Sequence, residues 1–447
     1  MNAITEKGRL LTDEERLDPA HTALVLIDIQ NDFCHPEALF GRLGNDLSMM
    51  PGMAQRTRVL LDAARRKGML ILFVRATYDD EVLSGPLAET YHRRGFIEGQ
   101  CLEGSSGADW YAGLGPDPAA PHEVVVTKHR FSAFWGSDID VYLRANQMRT
   151  LVFTGVVTSG CVESTLRDAF FRDYYVVCAS DCVAEASEAR HGASLHKIDQ
   201  AFGAVRDAAA IAEIWDRAAS TPPSFAAAAK LDRSPSDFAA RVHPDQTALV
   251  LIDLQRDFCS PDGAMGRAGK DLTAVQAALK QASKLLAAAR AAGMQVVHVR
   301  SEHGDLDASD VSLTVGRRAL GDAACCQPGT AGAAFMPDVA PRAGEWLVTK
   351  HRSSAFVDTR LELLLRSNHL RTVIVAGVST PGAVESTVRD AAMRDYYVAV
   401  ARDAVAAAAD LMHLHTASLE IMSHYFGDCR PAAEIIAALP GKNAAAA

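Results

Sequence analysis

The chain alternates short, continuously apolar segments with longer segments in which apolar residues recur at helical spacing. In the first half, five apolar segments predict β-strands: residues 22–28, 69–76, 123–128, 150–156 and 174–184. The helical pattern lies between and after them, in residues 53–67, 138–147, 161–173 and 187–202. Apolar strands separated by helices are typical of a parallel sheet covered on both faces. The pattern therefore predicts an α/β fold with a doubly wound, Rossmann-like sheet, whose ligands bind at the carboxyl ends of the strands.

The same pattern occurs twice along the chain. TALVLIDIQNDFC, VVTKHRFSAF and GVVTSGCVESTLRDA in the first half match TALVLIDLQRDFC, LVTKHRSSAF and GVSTPGAVESTVRDA in the second. Repeats this long indicate duplicated domains and not short solenoid units. We therefore predict one domain over residues 1–219, a second over residues 244–440, and a linker of residues 220–243 in which Pro, Ser and Ala cluster.

Composition and charge narrow the class of protein. The chain has 447 residues, of which 49% are hydrophobic, enough for two full cores. Its net charge of −10 argues against a nucleic-acid partner. No apolar run approaches the roughly 18 residues of a membrane span, and the N-terminus does not resemble a secretory signal. Nine cysteines without a C-x-x-C pair favour reduced thiols, so we expect a cytoplasmic protein with no membrane partner.

Three side chains of complementary chemistry follow predicted strands. Asp28 ends the first strand, Lys128 ends the third, and Cys161 begins the helix after the fourth. Because the carboxyl ends of parallel strands meet at one edge of the sheet, we expect a carboxylate, an ammonium and a thiol to lie together there. Asp28 can accept the thiol proton, and both Lys128 and the helix N-terminus favour the thiolate.

The ordered motifs LIDIQNDF, VVTKHR and GVVTSGCVESTLRDA resemble those of the isochorismatase-like cysteine hydrolases, over nearly all of both halves. The resemblance implies a six-stranded parallel sheet in each domain and a catalytic triad of Asp28, Lys128 and Cys161. It also implies a cis peptide bond at Val156–Val157, with the amides of Val157 and Cys161 forming an oxyanion hole. The first half is most similar to members that act on ureidoacrylate, biuret or other small linear amides, so a small-molecule amide is the expected substrate.

Four further residues are candidate substrate contacts. Gln30, Asn31 and Phe33 follow Asp28, and Trp135 lies beyond Lys128; Phe33 is equally consistent with a core position. Some relatives carry a metal site of the form Asp-x-His-Pro-x-x-His after the second strand. Neither half has this spacing, so we predict no metal and no cofactor.

The second half keeps Asp253 and Lys350 but has Ala383 at the position of Cys161. Alanine cannot attack a carbonyl, so amide hydrolysis by the same route is lost. The favoured interpretation is a degenerate domain kept as the partner of an intramolecular pseudo-dimer, with a homo-oligomer also open. An alternative is an isochorismatase-type vinyl ether hydrolase, because the resemblance extends to members that need no cysteine. A non-catalytic binding or scaffold protein is the third, and the intact first triad disfavours it.

Overall fold

The computed structural model describes residues 9–440 except 97–98, 223, 227–229, 231–233, 236, 305, 308 and 310–324. The first sheet contains β1 (Thr22–Ile27), β2 (Leu70–Ala76), β3 (Glu123–Lys128), β4 (Thr150–Val156), β5 (Tyr175–Ala184) and β6 (Ala204–Arg206). The strand order is β3-β2-β1-β4-β5-β6, and every neighbouring pair is parallel. This is a doubly wound sheet whose switch point lies between β1 and β4.

The second sheet repeats this topology. It contains β7 (Thr247–Ile252), β8 (Gln295–Ser301), β9 (Trp346–Lys350), β10 (Thr372–Val378), β11 (Tyr397–Ala406) and β12 (Asp428–Arg430). Its order, β9-β8-β7-β10-β11-β12, is that of the first sheet, and its strands are also all parallel. The predicted fold class and the six strands in each domain are confirmed.

Helices connect the strands. Among the described residues, those of the first half are Asp13–Arg16, Asn31–Cys34, Leu39–Arg42, Met50–Lys67, Gly85–Arg93, Ile139–Ala145, Glu163–Phe170, Glu188–Ala201 and Ala208–Arg217. Those of the second are Phe238–Arg241, Arg256–Cys259, Ala264–Arg267, Thr273–Ala291, Leu361–Ser367, Glu385–Ala392, Met412–Tyr425 and Ala432–Ala438. Among the described residues, no helix combines the length and the apolar character that a membrane crossing requires.

Each sheet is buried on both faces. In β1, Leu24 and Leu26 belong to one apolar cluster, while Val25 and Ile27 belong to the cluster on the opposite face. This explains why the strand is apolar at every position. The chain divides into two compact units, Met1–Asp232 and Arg233–Ala447, and the division falls inside the predicted linker.

Candidate active site

The three predicted catalytic side chains lie together at the carboxyl edge of the first sheet. Asp28 follows β1, Lys128 ends β3, and Cys161 lies in a π-helical turn, Thr158–Val162, after β4. Lys128 Nζ is 2.8 Å from Asp28 Oδ2 and 3.3 Å from Cys161 Sγ. All three residues are buried. A carboxylate, an ammonium and a thiol are therefore in direct contact, shielded from water.

The backbone at this edge is shaped to bring β1 and β4 together. Asp28 adopts a left-handed conformation, with φ of 52°, which is rare for a residue with a side chain. Gly155 in β4 has φ of 109°, and a Cβ atom there would lie 2.0 Å from the carbonyl oxygen of Ile27. Only glycine permits this close approach. The peptide bond Val156–Val157 is cis, as the family resemblance implied.

The turn that carries Cys161 is tied to the loop after β3. Thr165 Oγ1 donates a hydrogen bond to the Cys161 carbonyl at 2.7 Å and accepts one from the Ala133 amide at 3.1 Å. Lys128 Nζ also donates to the Arg130 carbonyl at 3.0 Å. These contacts fix the position of the Cys161 thiol relative to the Lys128 ammonium group, although the two residues lie on separate segments of the chain.

Burial dominates the electrostatics of the site. Burial and the Asp28 carboxylate raise the pKa of the Cys161 thiol to about 12, although Lys128 opposes this. Burial also raises the pKa of Asp28, again against the effect of Lys128. For Lys128, burial lowers the pKa, but the charges of Asp28 and Cys161 outweigh it, so the pKa is raised. The sequence had favoured a resting thiolate; the structure instead favours a neutral thiol beside an ion pair, because Cys161 is desolvated and faces a carboxylate.

A second polar network, which the sequence had not indicated, supports the turn from outside. Glu185 Oε2 accepts hydrogen bonds from the Ser159 amide at 3.2 Å and from the Ser159 hydroxyl at 2.6 Å. Arg190 donates to the other carboxylate oxygen at 3.1 Å. The second half has Pro381 and Ala407 at the positions of Ser159 and Glu185, so this network is specific to the first domain.

The four predicted substrate contacts do not share one environment: two bind backbone groups, one lies in the core, and one is exposed. Gln30 is buried, and its amide donates to the Ala76 and Ala108 carbonyls, each at 3.0 Å, so both of its donors bind backbone. Asn31 Nδ2 donates to the Ser106 carbonyl at 2.9 Å. Phe33 belongs to the apolar core, where it packs edge-on against Phe40. Trp135 exposes 68% of its surface. Gln30 and Phe33 therefore brace the fold, because burial and backbone contacts occupy the groups that a ligand would need.

A pair of tyrosines lies within electrostatic reach of the reacting groups. Tyr78 and Tyr91 are buried and pack edge-on, with ring centroids 5.1 Å apart. Burial raises the pKa of Tyr78, and the charges of Cys161 and Asp28 raise it further, which places its hydroxyl within electrostatic reach of both. Tyr78 lies two residues beyond β2, so the strand-end rule would have identified it.

The second domain retains this backbone without the thiol. Lys350 Nζ lies 2.8 Å from Asp253 Oδ2, and both residues are buried. Asp253 has φ of 53°, Gly377 has φ of 137°, and the bond Val378–Ser379 is cis.

One group in the described residues has the spacing of metal ligands, and it belongs to the second domain. It consists of Asp257, Cys325 and Cys326, whose ligand atoms are within 4.8 Å of one another. The Asp257 carboxylate already accepts hydrogen bonds from the Cys326 amide at 2.7 Å and from the Ala264 amide at 2.9 Å.

Fold and site together define a tandem pair of doubly wound α/β domains, one of which carries a buried Asp–Lys–Cys cluster. The sequence profile of the isochorismatase domain matches residues 22–210 and 247–434. The chain belongs to the isochorismatase family, and it contains the domain twice.

Among similar proteins is the ureidoacrylate amidohydrolase RutB of Methylobacterium radiotolerans, 34% identical over 204 residues, which are 43% of this chain and 79% of that protein. A cysteine hydrolase from Pseudomonas syringae pv. phaseolicola is 27% identical, with a TM-score of 0.39, over 44% of this chain and 94% of that one. The N-carbamoylsarcosine amidase of Thermoplasma acidophilum is 24% identical, with a TM-score of 0.35, over 42% of this chain and 96% of that one.

Proposed function

We propose that the first domain hydrolyses a C–N bond of a small linear amide, ureido or carbamoyl compound through an acyl-enzyme on Cys161. The observation that carries this proposal is the contact of Lys128 Nζ with both Asp28, at 2.8 Å, and Cys161 Sγ, at 3.3 Å. A nucleophile, a base and a fixed positive charge are the groups that acyl transfer requires.

The reaction begins from a neutral thiol. As Cys161 Sγ attacks the carbonyl carbon, Asp28 accepts the thiol proton. Lys128 remains positively charged and stabilises the negative charge that develops on the reacting groups during the attack. Asp28 then returns the proton to the leaving nitrogen, the C–N bond breaks, and water hydrolyses the acyl-enzyme with Asp28 again acting as base.

The proposed oxyanion hole consists of the amides of Val157 and Cys161. Val157 directly precedes the turn Thr158–Val162 and Cys161 lies within it, and the cis bond before Val157 is consistent with the assignment. Donors fixed in place before the reaction stabilise a developing oxyanion without reorganisation.

The substrate class rests on the similarity to an amidohydrolase that acts on ureidoacrylate. A screen for ammonia release over ureidoacrylate, biuret, carbamoyl amino acids, maleamate and nicotinamide, with and without EDTA, tests it. Release from ureido or carbamoyl compounds, unaffected by EDTA, is expected. Release from nicotinamide alone, or loss of activity on chelation with recovery on adding zinc, would contradict the proposal.

Replacement of the nucleophile tests the mechanism. Cys161→Ala should lower kcat by at least about 1000-fold and leave the melting temperature near that of the wild type, because it removes only one sulfur. Cys161→Ser should also be nearly inactive, since a hydroxyl is far harder to ionise. Cys178→Ala, a second buried thiol away from the ion pair, is the matched control and should remain active. Activity within ten-fold of the wild type in Cys161→Ala would show the assignment to be wrong.

The second domain is proposed to take no part in this thiol reaction, because Ala383 offers no nucleophile. A pseudo-dimer role and a cytoplasmic location stay predictions. The nine cysteines are all free thiols.

A further inference from the structure

The ion pair of the second domain contacts a hydroxyl that has no counterpart in the first. Ser301, the last residue of β8, is buried, and its Oγ donates to Asp253 Oδ1 at 3.0 Å. The same oxygen accepts a hydrogen bond from Lys350 Nζ at 2.8 Å. The equivalent residue in the first domain is Ala76, the last residue of β2.

The backbone at this position is the same in both domains. Gln255 accepts a hydrogen bond from the Ser301 amide at 2.8 Å and donates one to its carbonyl at 2.9 Å. Gln30 makes the same two bonds with Ala76, at 2.8 and 3.0 Å. At this position the two domains therefore differ in the side chain and not in the backbone, and the Ser301 side chain contacts the ion pair.

Ser301 takes over the contact that the thiol makes in the first domain. Lys128 Nζ contacts Asp28, the Arg130 carbonyl and Cys161 Sγ. Lys350 Nζ contacts Asp253 and the Arg352 carbonyl in the same way, but its third contact is Ser301 Oγ. In the second domain, the turn after β10 has Ala383 at the position of the Cys161 thiol, and the Ser301 hydroxyl lies at the end of β8.

We propose that Ser301 is the nucleophile of a second active site, which cleaves small carboxylic esters. Ser301 Oγ attacks the ester carbonyl and its proton passes to Asp253 Oδ1, while Lys350 stabilises the tetrahedral oxyanion. Asp253 returns the proton to the departing alkoxide as the C–O bond breaks. Water, with Asp253 as base, then hydrolyses the acyl-serine to a carboxylic acid and free Ser301. Esters fit because an alkoxide leaves more readily than an amide nitrogen, and a serine lacks the thiolate's reactivity.

The surroundings of Ser301 also differ from those of the first site. His303 occupies the position of Tyr78, and its pKa is lowered by partial burial and by the charge of Lys350, against the effect of Asp253. Tyr78 is buried, whereas His303 is exposed to solvent. The second site is thus bordered by a polar, exposed side chain where the first has a buried aromatic one, so the two sites should take different substrates.

The test uses the full chain with Cys161→Ala, which silences the first nucleophile. The protein is treated with a fluorophosphonate probe, in which a serine oxygen displaces fluoride, and is then mapped by peptide mass spectrometry. One adduct, on Ser301, is expected. Adding Lys350→Met should slow labelling by about 100-fold, since the fixed charge is lost. Ser423→Ala, on an exposed helix of the same domain, is the matched control and should label at the parent rate.

Two further variants make the result decisive. Ser301→Ala should abolish the adduct and the hydrolysis of p-nitrophenyl acetate without unfolding the chain, because the first domain tolerates alanine at the equivalent position. Adding Ala76→Ser to Cys161→Ala should create a second labelled site in the first domain. If no adduct forms on Ser301, or if labelling and ester hydrolysis survive Ser301→Ala, the hydroxyl only satisfies the buried ion pair and the proposal is wrong.

Discussion

The protonation states of Asp28, Lys128 and Cys161 predict how the activity depends on pH. Asp28 must be ionised to accept the thiol proton, and burial raises the pKa of its carboxyl. As the pH falls, Asp28 becomes protonated at a higher pH than an ordinary aspartate, so kcat/KM should begin to fall at a higher pH than the titration of a free aspartate would predict. The raised pKa of Lys128 keeps it charged into the alkaline range, so it should not limit activity near neutrality.

The measurement is a pH–rate profile of ammonia release. Asp28→Asn should be inactive at every pH and serves as the reference. An acid limb at or below the pKa of a free aspartate would mean that Asp28 is not the base, or that it is stabilised as a carboxylate far more than its burial implies.

At the residue scale, the sequence was most informative where chemistry and position coincide. The meeting of Asp28, Lys128 and Cys161 at one edge of the sheet was predictable, because each lies at or just after the end of a strand and each belongs to one of three ordered motifs. The surroundings of Gln30 and Phe33 could not be predicted, because proximity along the chain does not reveal which way a side chain points; their role as substrate contacts stays a prediction. The contact of Ser301 with the second ion pair was not predicted, because Ser301 lies outside the motifs that the two halves share.

At the element scale, the turn Thr158–Val162 is held by the Glu185 carboxylate, which accepts both the amide and the hydroxyl of Ser159. Glu185→Ala should lower kcat by about 10- to 100-fold with little change in KM, because the turn that aims the nucleophile loses its support. Glu188→Ala, three residues away and exposed, is the matched control. Steady-state kinetics distinguish the outcomes: an increase in KM alone would assign Glu185 to substrate binding.

The elements themselves were largely predictable. Strands such as β1 and β4 are apolar throughout and are bounded by turn residues, so their limits matched closely. The short strand β6, Ala204–Arg206, was not identified from the residue pattern, because three residues carry too little periodicity and only pairing with β5 defines them. The π-helical turn at Cys161 was read as the start of a regular helix, since the two have the same apolar spacing.

At the scale of the whole molecule, each domain has its own pair of cores. Leu61 and Leu286 occupy equivalent positions in the two domains, and each is completely buried. Leu61→Ala should destabilise the first domain by about 2–5 kcal/mol, and Leu286→Ala should do the same to the second. Calorimetry, with ammonia release as the reporter of the first domain, checks this. We expect only Leu61→Ala to lower the temperature at which activity is lost; an equal loss in both variants would show that the domains unfold as one unit.

The raised pKa of Cys161 also bears on how the protein withstands oxidative stress. Peroxide attacks thiolates, and exposed cysteines of low pKa are the first to be damaged. Cys161 is buried, with a pKa of about 12, so it rests in the protonated form that peroxide attacks slowly. Hydrogen peroxide should therefore inactivate the protein slowly at neutral pH and faster as the solution becomes alkaline, as the decay of ammonia release would show. Rapid inactivation at neutral pH would mean a standing thiolate. The proton that Cys161 retains between turnovers therefore also protects its sulfur from oxidation.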